Sequence, residues 1–334
     1  MKPKISVVIP CYNEEDTITL LLEALYQQTF PKEFLEILII DGVSSDNTIN
    51  QIKWFTRNHS DLNIKVISNP ERIIPVALNK GIQASTGELI IRLDAHSQPY
   101  PDYIERCVLD IQNIRADNVG GIWEIKPGND NWVGKGIARA SSHPLGVGDA
   151  RYRVGGEAQY VETVPFGCFN KKLFEKVGFF DEKLLTNEDY EFNNRILKSG
   201  GKIWFDPTIK SIYYSRKTFR ELANQYWRYG YWKGKMILKN PATLRWRQVI
   251  PPLFVLSLLL WLVLSFFDHN FLILLTLEIT LYLLALLVIA AIEAIKNHDS
   301  SYSFGMPIAM IIMHVCWGTS FVWSLITNYG KSKD

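Results

Sequence analysis

The stretch ISVVIPCYNEEDTITLLLEALYQQ, residues 5–28, changes its hydrophobic period at its middle. Ile5 to Ile9 form a β-branched run that stops at Pro10, and Ile18, Leu21, Leu22 and Leu25 then recur at helical spacing. The reading is a buried strand followed by an amphipathic helix. The same unit returns twice. LEILII runs into Asp41, and SSDNTINQIKWF follows with Ser or Asp as N-cap and Ile49, Ile52 and Phe55 on one face. IKVIS then precedes the helix IPVALNKGIQAS, and a fourth strand, ELIIRL, ends at Asp94. Strand–helix alternation with continuously apolar strands predicts an α/β fold, a parallel doubly wound sheet with helices on both faces.

Ligands of such sheets bind beyond the carboxyl ends of the strands. Those ends carry Pro10 to Glu14, Asp41 to Asp46, Asn69 to Arg72 and Asp94 to His96. The edge is rich in carboxylates, with no GxGxxG after the first strand and no GxxxxGK[ST] anywhere, which argues against dinucleotide and P-loop classes. A nucleotide diphosphate binds acids when Mg²⁺ or Mn²⁺ lies between them, and spare carboxylates accept hydrogen bonds from a base N–H or ribose hydroxyls. Taken singly, Asp41 and Asp46, beside Ser44 and Ser45, read as loop and N-cap residues as readily as ligands. Several acids on one edge shift the balance toward a site.

The composition breaks near residue 248. Residues 249–267, 271–295 and 305–326 are apolar runs, each long enough to cross a hydrocarbon core about 30 Å thick at about 1.5 Å per residue. The amino terminus has a basic start but a short apolar run, and reads as a strand instead of a cleaved signal peptide. Cys11, Cys107, Cys168 and Cys316 are scattered without a CxxC pair, which suits a reducing compartment. Residues 216–247 carry nine basic residues, from Arg216 to Arg247, against the single acid Glu221. The positive-inside rule then places the polar part in the cytoplasm. The turn Asp268-His269-Asn270, free of Lys and Arg, falls outside; three spans would strand Lys331 and Lys333 outside as well, against the rule. Pro251-Pro252 and Gly305 to Pro307 are natural break points for a re-entrant segment. The expected division is 1–215 soluble, 216–247 a basic amphipathic interfacial segment, 248–327 about three membrane helices and 328–334 a tail.

VVIPCYNEE, IIDGVSSDNT, ALNKGIQASTGELIIRLDAHS, FGCFNKKLFEKVGFFDE and NEDYEFNNRI occur in this order over about residues 5–200. With them the chain resembles the inverting family 2 glycosyltransferases of GT-A fold, whose sheet is Rossmann-like and mostly parallel. RLDAH, GGIWEIKPG and ASSHPLGVGDARYR make it most similar to the membrane-anchored succinoglycan-type glucosyltransferases. The resemblance implies that Pro10, Tyr12, Glu14 and Asp41 form the base and ribose pocket of a UDP-sugar, with Asp46 and Arg72 on the same edge. Asp94 and His96 would be the metal and diphosphate site. His96 departs from the commoner acid; an imidazole suits Mn²⁺ better than the harder Mg²⁺, so Mn²⁺ is the expected cofactor. An imidazole at that position equally suits a residue that binds a hydroxyl or supports a ligand from behind.

TNEDYEFNNRILKSGG reads as a helix with Thr186 or Asn187 as N-cap, acids in its first turn, Glu191 set to pair with Arg195, and Gly200-Gly201 as the stop. Acids there favour the helix dipole in any protein. Attack of an acceptor hydroxyl on an anomeric carbon nevertheless requires a base. By resemblance that base is Asp189, with Glu188 beside it orienting the acceptor. Residues 141–165, rich in glycine, read as a flexible acceptor-side loop whose Arg151 and Arg153 meet a lipid-linked diphosphate. Trp123 is suited to stack on a sugar or to pack in the core. QYWRYGYWKGK, residues 225–235, partly matches the QxxRW element of processive synthases, with Tyr229 where Trp is usual, and makes Arg228 a diphosphate contact. Its aromatic residues along a basic helix also fit an interfacial anchor. Glu278 and His314 lie inside apolar runs and receive no role.

The expected protein is a multi-pass enzyme of the inner membrane with its catalytic domain in the cytoplasm. It would move one sugar, glucose by resemblance, from UDP to a polyprenyl-diphosphate-linked acceptor during exopolysaccharide assembly, with no nucleic-acid partner. A processive synthase and an inactive nucleotide-sugar-binding scaffold are the rival readings; few spans and the incomplete QxxRW argue against the first, and the intact Asp94, Asp189 and Arg228 set against the second.

Overall fold

The computed structural model describes residues 2–329. Most of the expected tail, with Lys331 and Lys333, lies outside them. The chain begins β1 (Ile5–Cys11), α1 (Ile18–Tyr26), β2 (Leu35–Asp41), α2 (Thr48–Asn58), β3 (Asn63–Ser68), α3 (Ile74–Ala84), β4 (Leu89–Arg92). It continues through β5 (Gln98–Pro99), α4 (Tyr103–Ile114), β6 (Asn118–Lys126), α5 (Trp132–Ser141), α6 (Pro144–Val147), α7 (Arg151–Val154), β7 (Gln159–Tyr160) and β8 (Cys168–Asn170). Then come α8 (Leu173–Val177), α9 (Glu188–Lys198), β9 (Ile203–Tyr214), α10 (Phe219–Lys239), α11 (Trp246–Leu264), α12 (Asn270–Asn297) and α13 (Ser301–Asn328). Among the described residues there are two compact units, one of residues up to 124 with 151–213, the other of 125–150 with those from 214 onward. The segment 125–150 falls within the soluble part by sequence, yet it packs with the apolar helices.

In the first unit the strands run in the order β3-β2-β1-β4-β8-β6-β9-β5, with β7 on β9. β1 lies parallel to β2 and β4, and β2 parallel to β3, as the strand–helix repeats require. Beyond β4 the sheet is mixed: β8 is antiparallel to β4 and β6, and β9 to β5 and β7. Alternate strand residues feed two cores because each successive side chain points to the opposite face. Ile5, Val7, Ile9, Ile37 and Ile39 join Leu21, Leu22 and Phe55 of the first two helices. Val8, Leu38 and Ile40 turn the other way, to Leu78 of α3 and Phe192 of α9.

One polar knot interrupts these layers. Glu36, fully buried on β2, accepts hydrogen bonds from the Ser6 hydroxyl at 2.7 Å and the Thr86 amide at 2.9 Å, and pairs with Lys65 of β3 at 2.9 Å. Burial pushes its carboxyl up, but Lys65, Thr86 and Ser6 together bring it down to about 2. The knot pins β1, β2, β3 and the turn before β4 in one register.

In the second unit α10 lays its apolar face on α13. Leu222 and Tyr226 meet Met306, Met310 and Met313, with Ile137 of α5 and Leu286 of α12 in the same cluster. That face, expected on the bilayer surface, is therefore taken by protein. Pro251 and Pro252 lie inside α11 and Pro307 inside α13, and neither helix breaks there. Pro252 cannot donate to the Gln248 carbonyl; the Trp317 indole Nε1 does so instead, at 3.3 Å. Among the described residues three helices, α11, α12 and α13, are long and apolar enough to cross a membrane.

The Glu36 knot has a pH signature. Its folded pKa lies below the unfolded one, so its contribution is complete above about pH 4.5 and is lost as pH falls toward 2. Glu36→Gln should cost on the order of 3 kcal/mol at pH 7, and chemical denaturation of wild type and variant at pH 7 and pH 3 should show the difference shrinking with acid.

Candidate active site

Register sets Cys11, Asp41 and Ser68 side by side at the ends of β1, β2 and β3. Pro10 lies opposite Ile40, one residue inside that edge. The loops leaving it are bound to one another. Asn13 takes a hydrogen bond from the Ser45 amide through its Oδ1 at 2.9 Å and donates its own amide to Ser44 Oγ at 2.9 Å. The Glu14 amide donates to Thr48 Oγ1 at 2.8 Å. Asp41, buried, accepts from the Ser44 hydroxyl at 2.6 Å and amide at 3.1 Å. Asp46 accepts from the Thr48 amide and hydroxyl on one oxygen and from the Glu15 amide on the other. Those donors hold its carboxyl below the ordinary range despite the opposing push of desolvation. Asp46 is thus a brace between two loops.

Tyr12 is 42% exposed, and its ring covers Gly42, where a Cβ would come within 3.0 Å. The Arg72 guanidinium sits 4.9 Å from the same ring and donates Nε to the Gly42 carbonyl at 3.0 Å. An exposed aromatic, a cation and the buried acid Asp41 thereby border one mouth. Asn13, Val43 and Arg72 hold φ of 52°, 58° and 56° on these loops. For β-branched Val43 this is an outlier, and such strain persists where surrounding structure enforces it, commonly at functional sites.

The second half of the site is organised by Arg92, the last residue of β4. Its buried Nη2 lies 2.9 Å from Glu188 Oε1 and 3.3 Å from Asp94 Oδ1. Its Nε and Nη1 are buried without a hydrogen-bond partner. Desolvation opposes the charge, but Asp94, Glu188 and Asp189 raise the guanidinium pKa above its ordinary value. Glu188 opens α9 and is buried; burial pushes its carboxyl up against the pull of Arg92, and the Asp189 charge adds to the rise. Asp189 is half-buried, with Oδ1 accepting its neighbour's Tyr190 amide at 2.7 Å. The expected side-chain cap does not form: Asn187 occupies the N-cap position at φ 66° with no cap bond, and the acids of the first turn meet the positive helix end instead. Glu191 and Arg195 do pair, at 2.8 Å, and Gly200 follows the helix at φ 81°.

Glu14 joins the two halves, with Oε1 at 3.1 Å from His96 Nδ1. Glu14, His96, Asp94, Arg92 and Glu188 thus form a nearly continuous polar chain across the edge. Were a cation held here, Asp94 and His96 would offer a carboxylate and an imidazole, the ring through Nε2, since its Nδ1 faces Glu14. Among the described residues no group of three or more His, Cys, Asp or Glu is placed to hold a metal. Two protein donors fit a cation that arrives with substrate phosphates, the pattern of Mg²⁺ and Mn²⁺, and a carboxylate on the other ring nitrogen is the common outer-shell partner of a ligating histidine.

Of the acceptor-side residues, Trp123 takes the packing alternative and Arg153 departs from expectation. Trp123, on β6, stacks on Tyr213 at 4.5 Å and 7°, with Tyr152 edge-on and Arg153 4.9 Å from its centroid. It is a packed member of an aromatic cluster, and its buried Nε1 has no hydrogen-bond partner. Residues 141–165 are not a featureless flexible loop, since α6 and α7 occupy part of them and the chain passes between units there. Arg153 is buried on α7, and Arg151 Nη1 donates to the Gly155 carbonyl at 3.4 Å. Arg228 is exposed on α10 in the second unit. Arg92 was missed as a site residue; a lone charge closing an apolar strand was the available signal. Gly42 was missed too, having no motif of its own.

The model of the family described as glycosyl transferase family 2 matches residues 6–178. A Methanococcus voltae protein named dolichyl N-acetyl-alpha-D-glucosaminyl phosphate 3-beta-D-2,3-diacetamido-2,3-dideoxy-beta-D-glucuronosyltransferase is 32% identical over 98% of this chain and 99% of its own. The succinoglycan biosynthesis protein ExoA of Rhizobium meliloti is 31% identical over 73% of each chain. Among solved structures, a mannosyltransferase of Pyrobaculum calidifontis in complex with GDP-Man and Mn²⁺ superposes with a TM-score of 0.64 at 17% identity, over 97% of this chain and 88% of that one. That likeness shows a shared GT-A fold.

Because Arg92 neutralises two carboxylates, Arg92→Gln should lower stability by about 3 kcal/mol, with Arg92→Lys losing less. Equal denaturation midpoints for wild type and Arg92→Gln in one detergent would contradict this account.

Proposed function

The chain belongs to glycosyltransferase family 2, and we propose that it is a membrane-anchored inverting enzyme that moves a sugar from UDP to a lipid-linked acceptor in glycan assembly. The observation that carries the reading is the buried Arg92 between Asp94, on the donor edge, and Glu188, at the head of the helix bearing Asp189. Donor and acceptor carboxylates are parts of one ion-paired unit. Tyr12, Asp41 and Arg72 border the base and ribose pocket, with Pro10 and Glu14 completing its rim and Asp46 holding its loops. Asp94 and His96 would hold the divalent cation, which when bound offsets the negative charge of the leaving diphosphate; Mn²⁺ over Mg²⁺ follows from the imidazole. Asp189 takes the acceptor proton, and Glu188 orients the attacking hydroxyl.

The acceptor class is supported by the methanogen relative, whose name gives a dolichyl-phosphate-linked sugar as its acceptor. The same name gives a diacetamido uronic acid as the transferred sugar and the succinoglycan relative stands on the exopolysaccharide side. A donor screen therefore needs UDP-glucose and UDP-linked acetamido sugars together. Arg228 is assigned to the donor diphosphate and Arg151 to that of the acceptor, while Arg153, buried among Trp123, Tyr152 and Tyr213, supports the segment that carries Arg151. The enzyme belongs in the cell's inner membrane with its first unit in the cytoplasm, as the basic segment 216–247 favours.

Asp189→Asn should leave UDP-sugar binding by calorimetry intact while kcat falls roughly 10²- to 10⁴-fold; a near wild-type kcat would remove Asp189 as base. Glu14→Gln should weaken Mn²⁺ binding in the presence of UDP about 10- to 100-fold, read by electron paramagnetic resonance. His96→Ala with undiminished Mn²⁺ affinity would show that the ring is not a ligand.

A further inference from the structure

We propose that Asn193 is a positioning residue for the transfer: with Asn118 and Thr163 it fixes the rotation of α9, and so the aim of Asp189, against the segment that carries Arg151. This role rests on the reading of Asp189 as the base and names what sets that base in place.

Three buried polar side chains form a line through the first unit. Asn118, the first residue of β6, donates its Nδ2 to Asn193 Oδ1 at 2.7 Å. Asn193, on α9, donates its own Nδ2 to Thr163 Oγ1 at 2.8 Å. Register sets Asn118 opposite Phe169 of β8, so both side chains leave the same face of the sheet. On that face Phe169 meets Phe192 of α9, and Ile196 joins the same core. Buried amides in such a core must find their hydrogen bonds, and those bonds are directional where apolar contacts are not. Phe192 and Ile196 therefore hold α9 down, whereas the bonds of Asn193 set its rotation and slide.

The helix meets the sheet at two polar points. Glu188, its first residue, pairs with Arg92 of β4. Asn193 bonds Asn118 of β6 five residues later, about 7.5 Å along the axis. One such point would let α9 pivot, and two on different strands do not. Gly167 serves both: its carbonyl accepts the Arg92 amide at 3.1 Å, and a Cβ there would lie 2.6 Å from Asn118 Oδ1. Its φ of 94° is a second reason for glycine at this turn. Asn118 Oδ1 is buried without a hydrogen-bond partner, so the Nδ2 bond alone orients the amide. Asn193 follows Asp189 by one helical turn and lies on nearly the same side of α9. Any rotation allowed at residue 193 therefore swings Asp189.

Thr163 brings in the acceptor-side stretch. Val161, just after β7, donates its amide to the Ile203 carbonyl at 3.0 Å. Val164 lies against Gly120, where a Cβ would come within 2.7 Å of it. Thr163 is thus at the firmly held end of residues 151–165, whose α7 carries Arg151. In the proposed transfer Arg151 meets the acceptor diphosphate and Asp189 takes the acceptor proton. The Thr163–Asn193 bond ties the two.

The test uses the full chain in one detergent. Thr163→Val is nearly isosteric and removes the accepting hydroxyl, and Thr163→Ser keeps it; Thr163→Ala gives the same comparison if the valine variant does not fold. Transfer is read as UDP release from UDP-glucose or UDP-N-acetylglucosamine, whichever is used faster, with dolichyl N-acetylglucosaminyl phosphate as acceptor. Well below its unfolding midpoint, Thr163→Val should lower kcat about 10- to 100-fold while UDP affinity by calorimetry stays unchanged, and Thr163→Ser should restore the rate. Hydrogen exchange of the amides of residues 188–193 should quicken in Thr163→Val, with those of α3 unaffected. In an Asp189→Asn background the Thr163→Val loss should vanish, because no base remains to be aimed. An unchanged kcat in the folded valine variant, or an equal loss in the Asp189→Asn background, would overturn the proposal. A near wild-type kcat for Asp189→Asn alone marks the other failure, that of the base assignment, and removes this role with it.

Discussion

A guanidinium buried between two carboxylates is the constraint around which the active edge is arranged. Arg92 leaves β4 with its head desolvated; Asp94 and Glu188 pair with it and Asp189 adds its charge nearby. Neither acid can withdraw without stranding a charge in a poorly solvated place. The end of β4 and the start of α9, nearly a hundred residues apart in sequence, are therefore held at one fixed separation. Asp189, the next residue along α9, inherits its position from that pair.

The other loops of the edge are held by shorter ties. Asp41 and Asp46 spend their oxygens on Ser44, Thr48 and Glu15, so the acids beyond β2 also build the loops of that edge. A carboxylate with both oxygens engaged is a rigid acceptor for a ligand hydroxyl, since little further reorganisation is required. Glu14 links this region to His96, two residues beyond Asp94. The strained backbone at Asn13, Val43 and Arg72 is enforced by the same bonds.

In the second unit small residues take the part that charge takes in the first. Gly136, Gly230, Gly234, Gly305 and Gly318 let helices approach to backbone contact. Dispersion at such crossings, instead of hydrophobic transfer, is what holds helices together next to lipid. Where α11 loses a hydrogen bond at Pro252, an indole from α13 replaces it. Glu278, an acid inside an apolar run, is held by Ser257 and Trp261 and fastens α11 to α12.

Much of this was legible in the sequence because local physics dominated. The period change at residues 5–28, the apolar strands and the carboxylates at their ends report burial and topology directly, and the Glu191–Arg195 pair follows from helical spacing. The parallel half of the sheet emerged as read. The antiparallel half did not, because β5, β7 and β8 are two or three residues long and have no period of their own. Arg153 reads in the sequence as a surface ligand and Trp123 as either a sugar platform or a core residue, yet both pack on Tyr213, a residue far along the chain. Arg92 was visible as a letter and invisible as a counter-ion, because its partner Glu188 comes from another element. By itself the sequence determined, through periodicity and element order, an α/β sheet with an acidic edge and, through composition, a carboxyl-terminal part apolar enough to enter a membrane. Which acids share a charge, and which apolar helix is most covered by its neighbours, only the tertiary structure decided, since both depend on neighbours that sequence distance hides.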